Sequence, residues 1–359
     1  MASSPDSTVI VGGGIIGLST AYYLARAQNC GNNISIIDIP NDLVSAASAK
    51  ANGVLADYDY PPTVSDLGHL SCKLHKELAE AYDGKAKWGY AETVRHYLSL
   101  KKDGDGSRGL ELKPQYKLPE WIRGREKYRD EIKGNPRNCA RVDPRKFVTF
   151  LRKKCTSLGV TILLRSEVVG VQMGNEGVSA IRVRGPEETY DLQCRSLVIS
   201  AGSWSERIVE NLFPESLFKL NFDKTPLAGG NWLVLKAPRP SGDDYCHQVY
   251  VESITSAPVE ISDYRDGRIY VGGYLGDAEP LPATPSDVNR KASGLPRRKT
   301  LPCNSSISAS TGRRCWKWGG AVGRCWRLTG RLSQGYRWVC FAVKGMVQDR
   351  ETERGVAFL

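Results

Sequence analysis

The sequence predicts an α/β protein: a parallel-sheet domain assembled from separated segments, combined with an inserted antiparallel sheet. Three observations carry this. A strand, a glycine turn and a helix follow one another in "TVIVGGGIIGLSTAYYLARA", Thr8 to Ala27. A second buried-type strand stands far downstream in "SLVIS", Ser196 to Ser200. From Asn231 to Tyr274, "NWLVLKA", "QVYVESI" and "RIYVGGY" alternate apolar and polar residues, the period of antiparallel strands.

Taken in order, Thr8 to Val11 is a short strand and Ile15 to Ala27 a helix entered from the glycines. Ile34 to Asp38 is the next strand, stopped by Pro40. "SAASAKANG", Ser45 to Gly53, is a run of small residues too weakly apolar for a core helix. From Asp66 to Tyr82, Leu67, Leu70, Leu74, Leu78 and Ala81 recur at helical spacing, with Gly84 as a stop. His69 and His75 lie six apart on that helix, on different faces, and so read as surface or packing residues. Lys85 to Asn138 is mixed, with an aromatic cluster at Trp88 and Tyr90. A helix then opens with Asp143 as N-cap and Pro144 at its first position. Phe147, Phe150, Leu151, Cys155 and Leu158 form its buried face, and Gly159 ends it. "VTILLRSEVVGVQ" reads as one strand, and a meander leads to "SLVISAGSW". Asp266-Gly267 marks a hairpin turn. This order divides the chain into residues 1–84 and 141–215 for the parallel-sheet domain, 85–140 and 216–289 for the inserted domain, and a tail at 290–359.

The 359 residues give room for two domains, and 41% hydrophobic with 25% charged residues describes a globular chain. No apolar run approaches the roughly 18 residues of a membrane span. "MASSPDS" has neither the basic start nor the apolar core of a secretory signal, and "GVAFL" is not a peroxisomal or retention address. Ten cysteines, with no C-x-x-C pair and no histidine at ligand spacing, read as reduced thiols without a metal. A cytoplasmic location is therefore expected. The net charge of +11 is local: after Asn289 stand 15 Lys and Arg against 3 Asp and Glu. The remaining body is close to neutral, which argues against a nucleic-acid-binding fold.

Gly12-x-Gly14-x-x-Gly17 follows a strand and opens a helix, the context that gives this spacing meaning. Gly12 allows a tight turn, Gly14 lets backbone approach a pyrophosphate, and Gly17 lets helix pack on strand. The amides at Ile15 and Ile16 then offer the positive end of a helix to phosphate. Asp38, 21 positions after Gly17, stands where a carboxylate accepts ribose hydroxyls and repels a 2′-phosphate. FAD or NAD is expected over NADP, in a Rossmann-like domain.

At "IVGGGIIGLSTAYYLA", "SAASAKANGVL" and "LVISAGSWS" the sequence resembles the FAD-dependent oxidoreductases of the D-amino-acid oxidase, glycine oxidase and sarcosine oxidase superfamily. "LSCKLHKELAEAYDGKAKWGY" resembles a fungal subgroup of it, and the resemblance continues through "VDPRKFVTFLRKKCTSLGVTI" to about Leu281. It implies FAD as cofactor, with Gly12, Gly14 and Gly17 at the pyrophosphate and Asp38 at the adenosine ribose. It implies that Ala47, Ser48 and Lys50 pass close to phosphates and flavin. Val168 or Val169 would contact the adenine, Ala201 and Gly202 would close the site, and Trp204 would pack behind. The implied reaction is hydride transfer from an amine or amino acid to flavin N5, with reoxidation by dioxygen. Tyr264 and Arg265 on the hairpin are the candidates to face that substrate, the arginine suiting a carboxylate.

Past Leu281 the resemblance stops. The glycine-rich segment and carboxylate-binding arginine that the family supplies from its C-terminal part have no match in residues 290–359. That tail holds four of the eight tryptophans and four of the ten cysteines, without helical or strand periodicity. It reads as an out-of-frame or mis-spliced sequence, or as a basic aromatic segment suited to single-stranded nucleic acid. Three functional readings follow: an amine or amino-acid oxidoreductase; a flavoprotein-like scaffold that binds the nucleotide weakly or not at all because that segment is damaged; and a basic nucleic-acid or membrane-surface binder, disfavoured because the charge is confined to the tail.

Overall fold

The computed structural model describes residues 7–40, 47–100, 116–122, 128–175, 177–216, 230–236, 244–252, 259–275, 282–285, 331–333 and 341–344. The first half contains β1 (Thr8–Val11), α1 (Ile15–Ala27), β2 (Ile34–Asp38), β3 (Val54–Ala56), α2 (Ser65–Ala81), α3 (Gly84–Trp88) and β4 (Ala91–Leu100). Next come β5 (Tyr128–Gly134), β6 (Cys139–Arg141), α4 (Pro144–Ser157), β7 (Thr161–Leu164) and β8 (Glu167–Gly174). After these stand β9 (Gly177–Arg184), β10 (Thr189–Gln193), β11 (Ser196–Ile199) and α5 (Ser205–Leu212). The chain continues with β12 (Gly230–Lys236), β13 (Cys246–Val251), β14 (Val259–Asp263), β15 (Arg268–Leu275), β16 (Arg331–Ser333) and β17 (Phe341–Lys344). Apart from β16 and β17, the tail lies outside the described residues, as do Ser45, Asp103 to Gly109 and Leu281.

One sheet runs β17-β11-β1-β2-β7. β1 is flanked by β2 and β11, both parallel to it, and β7 extends the sheet in parallel beyond β2. β17 joins β11 antiparallel. Strand alternation gives this sheet two apolar faces. Ile10, Ile34 and Ile36 pack under α1 and α4, with Trp88, Phe147 and Phe150 in the same core. Val9, Val11, Ile37, Leu197 and Ile199 pack on the other side against the β10-β9-β8 meander and α5. α4 begins as expected: the Asp143 carboxylate accepts the Lys146 amide at 3.0 Å, and Gly159 leaves the helix at φ +93°.

The second sheet runs β16-β12-β15-β14-β13-β4-β6-β3, with β5 paired to β4. Its strands are mostly antiparallel, but β13 and β4 pair in parallel. Val249, Ile261 and Ile269 bury one face with Leu98 and Ile122. Gln248, Ser262 and Tyr264 alternate with these apolar positions and occupy the opposite face.

Several local expectations are corrected. "VTILLRSEVVGVQ" is two strands, broken at Arg165, whose φ of +53° turns the chain so that the Ser166 amide reaches Asp38 O. Gly84 starts α3 instead of ending α2, because Asp83 takes the left-handed turn at φ +55°. Along α2 Leu78 and Ala79 are buried and His75 is half-buried, while Leu67 and Leu70 are exposed. The stretch read as mixed holds β4, the strand at the centre of the second sheet's parallel pair. His69 is a surface residue paired to Asp57 at 2.5 Å. His75 packs on Phe147, ring centroids 4.7 Å apart, and burial pushes its imidazole down to about 4.

Candidate active site

β1, β2 and β11 end at one edge of the parallel sheet, where the order reverses from β1–β2 on one side to β11 on the other. A ligand crevice forms at such a switch point. The cleft there encloses about 1200 Å³, part of it open to solvent. Gly12, Gly14, Ile15, Ile16, Asp38, Ala47, Ser48, Ala201, Gly202 and Trp204 all line it. These were among the residues singled out in sequence, and they arrive from four separate segments.

The glycines are required by close approach. Gly12 sits at φ +105°, and a Cβ there would stand 2.5 Å from Ser200 O. A Cβ on Gly17 would stand 2.0 Å from Gly12 O, so this residue packs the helix onto the turn without lining the cleft. Helix geometry leaves the first-turn amides of α1 without intrahelical acceptors. Ser48 Oγ accepts the Ile15 amide at 3.0 Å, which ties the small-residue loop to the helix start. The Asp38 carboxylate accepts the Gly13 amide and the Ile39 amide, each at 3.0 Å. Burial pushes that carboxyl up to about 6, against the lowering effect of these two bonds. Asp38 thus shapes the glycine turn as well as facing the cleft.

Other expectations shift. Val168 lines the cleft and Val169 does not, as alternation along β8 requires. Lys50 is absent from the lining; its amide closes a turn onto Ala47 O at 3.0 Å. Trp204 donates from Nε1 to Pro282 O at 2.9 Å, which pins the 282–285 segment across the cleft beside Arg207. Sequence reading missed Ser200, whose hydroxyl donates to Val11 O and Gly12 O, both at 3.1 Å. A hydroxyl residue directly before Ala-Gly at a strand end was the available signal. Glu167, Arg207 and Asn211 also line the cleft and carried no motif.

The 47–53 loop leaves the cleft and enters the second sheet at β3. There Asn52 Nδ2 donates to Ser262 Oγ at 3.2 Å, and Ser262 faces Gln248 across β13 and β14. The Tyr264 hydroxyl lies 3.5 Å from Asn52 O. The Arg141 guanidinium stands over the Tyr264 ring, 3.8 Å from its centroid, and Arg268 stands 4.5 Å from it. Arg268 is held by Asp143 at 2.5 Å and Asp266 at 2.8 Å. Arg141 is only 1% exposed, yet none of its three guanidinium nitrogens has a hydrogen-bond partner. Asn52 Oδ1 and Gln248 Oε1 are likewise buried without a partner. Arg265 turns away: its Nη1 donates to Asp244 O at 2.6 Å on an exposed hairpin. Neighbours at a strand end point to opposite sides, so Tyr264 and Arg265 cannot share one face.

Residues 7–301 match the family described as FAD dependent oxidoreductase (DAO). The chain belongs to this FAD-dependent oxidoreductase family. The match runs twenty residues beyond Leu281, where the sequence resemblance ended. The chain is 27% identical over 306 residues to the oxidoreductase-like protein C1F5.03c of Schizosaccharomyces pombe, covering 80% of this chain and 74% of that one. It is 26% identical over 223 residues to glycine oxidase of Bacillus licheniformis, covering 57% and 56%. Among solved structures, glycine oxidase from Bacillus cereus aligns at TM-score 0.55 and 18% identity over 74% of this chain and 72% of that chain. L-proline dehydrogenase from P. horikoshii aligns at 0.58 and 16% over 82% and 75%. These likenesses establish the flavoenzyme fold, a mixed α/β architecture with FAD as the family's cofactor. No helix among the described residues is long and apolar enough to cross a membrane.

Proposed function

We propose that the chain holds FAD in the cleft and oxidises the C–N bond of a small amino acid on the adjoining sheet face. The observation that carries this reading is the buried Arg141 guanidinium, which has no hydrogen-bond acceptor and lies on β6 opposite Val54, where the loop that lines the cleft ends. Bound there, FAD would supply the acceptor for a hydride from the substrate Cα, with dioxygen taking up the electrons to give peroxide.

The chain's own residues do the positioning. The glycine turn and the first-turn amides of α1 meet the pyrophosphate with the positive end of the helix dipole. Asp38 accepts the ribose hydroxyls, and Val168 serves the adenine in place of Val169. Arg141 pairs with the substrate carboxylate, because its buried guanidinium feels the Asp263 carboxyl and the Tyr264 ring but has no hydrogen-bond acceptor, and an anion supplies one. Asn52 Oδ1 and Gln248 Oε1 accept from the amino group. A zwitterion satisfies both sets together, whereas a simple amine leaves Arg141 without an acceptor; this favours an amino acid over an amine. The six described cysteines are all free, which supports the cytoplasm as the location. A second reading, a flavoprotein-like scaffold without turnover, draws on residues 302–359 lying beyond the family match.

The test is to incubate the purified chain with FAD, remove free cofactor, and screen amino acids for peroxide release. Retained flavin with peroxide from an amino acid supports the enzyme. Retained flavin and no peroxide from any amino acid supports the scaffold, and failure to retain flavin sinks the enzyme reading while leaving a scaffold that binds the nucleotide weakly or not at all.

A further inference from the structure

A second concavity lies on the outer surface of α4, sharing no lining residue with the cofactor cleft. It encloses about 1180 Å³, much of it open to solvent, and is lined by Lys87, Arg145, Lys146, Lys153 and Lys154 together with Phe150 and two hydroxyl residues. Its layout follows from helix geometry. Arg145, Thr149, Lys153 and Ser157 form one i, i+4 row, and Lys146, Phe150 and Lys154 form the next. Lys87 of α3 supplies the facing side. At 1.5 Å per residue the row from Arg145 to Ser157 is roughly 18 Å long.

The charge in this groove is neither bulk composition nor a network of surface ion pairs. The chain before residue 290 is nearly neutral, yet no Asp or Glu occurs from Pro144 to Leu158 or from Gly84 to Trp88. Lys87 and Lys153 are exposed and make no ion pair among the described residues. Lys154 lies over the Tyr82 ring at 4.1 Å, held by an aromatic face instead of a carboxylate. Lys146 has its only described carboxylate, Asp266, at 3.5 Å. Lys87 and Lys153, without a carboxylate partner among the described residues, focus a positive potential in this concavity. The hydroxyls add no donors, since Thr149 Oγ1 and Ser157 Oγ already donate to backbone carbonyls at 2.8 and 2.9 Å.

We propose that this groove binds a polyphosphorylated ligand, one carrying three or more linked or clustered phosphates. Lysine ammoniums act on phosphate as rotatable point charges, so recognition here is by charge count along an extended row, not by a rigid fork. A single phosphate reaches only part of an 18 Å row (roughly, from the helix rise).

The experiment is calorimetric titration of the full-length chain with tripolyphosphate, with orthophosphate, and with vesicles of phosphatidylcholine and phosphatidylserine. The tail also carries positive charge and draws anions, so the readout is the difference between wild type and K87Q/K153Q, both full length. Expected are tighter binding of tripolyphosphate than of orthophosphate, a roughly tenfold loss in K87Q/K153Q, retention in K87R/K153R, and weakening by salt. Flavin retention by K87Q/K153Q should match wild type, which shows that the variant folds. Equal tripolyphosphate affinity in wild type and K87Q/K153Q overturns the proposal, as does binding of the vesicles without binding of tripolyphosphate.

Discussion

The cofactor cleft and the sheet face beside it are built from similar polar residues but leave them in opposite states. In the cleft, Asp38, Ser48 and Ser200 are satisfied by backbone groups of the glycine turn and its neighbours. Their work is to hold a backbone shape. On the sheet face, Arg141, Asn52 and Gln248 keep buried polar atoms with no partner in the protein. Such atoms cost free energy in the empty protein and return it only to a ligand that pairs them. A satisfied site therefore tolerates emptiness, and an unsatisfied one is less stable until filled.

The contrast is broken most severely in the cleft. Gly12→Ala combines a backbone penalty at φ +105° of about 1–3 kcal/mol with a steric clash of similar size against Ser200 O. Loss of retained flavin, with a lowered Tm, is expected in absorbance and melting measurements on the purified variant.

On the sheet face the same kind of substitution should act with divided sign. Arg141→Met removes a buried cation that makes no hydrogen bond, so the ligand-free protein should melt at least as high. The gain of about 1–4 kcal/mol for replacing a buried charge by an apolar side chain is offset in part by the lost attraction to the buried Asp263 carboxyl. Its KM for an amino acid should rise roughly 30-fold or more, since losing one partner of a desolvated charge pair costs at least about 2 kcal/mol. A lower Tm with unchanged KM would mean that Arg141 serves only packing.

Two buried titrating groups sharpen the comparison further. The Asp38 carboxyl, raised to about 6, holds its proton in the folded state where the unfolded chain has lost it. It adds stability as pH falls through about 6 and loses it on the way back up. His75, lowered to about 4, is neutral in the folded state while the unfolded chain is protonated, so it removes stability as pH falls below its ordinary range. Asp38→Asn should therefore make the ligand-free protein more acid-sensitive between pH 6 and 4, and His75→Phe less so, as read from Tm against pH.

The smallest effect is expected at Arg265, whose guanidinium reaches only an exposed carbonyl. Arg265→Ala should change stability by less than about 0.5 kcal/mol and leave KM unaltered.

What could be read from sequence divides along the same line. The glycine turn, Asp38, the Ala47-Ser48 loop and Ala201-Gly202 sit in contiguous motifs whose spacing reflects one local geometry. Arg141 sits on a three-residue strand, in no motif. Its burial comes from β3 pairing with β6 and from Tyr264 across the sheet, contacts separated by more than a hundred residues in the second case. Arg265 was favoured over it because a hairpin arginine is visible in sequence and the face it takes is not. The helix of α4 was legible to its caps because Asp143, Pro144 and Gly159 each have a local role. β4 escaped because its strand character rests on partners far along the chain, β5 and β13.

The most direct measurement is anaerobic absorbance of the flavin-loaded protein on adding an amino acid and, separately, the amine left when its carboxyl group is removed. The flavin colour should bleach with the amino acid and persist with the amine, and Arg141→Met should erase the difference. Equal bleaching by both compounds in the wild-type protein would contradict this expectation.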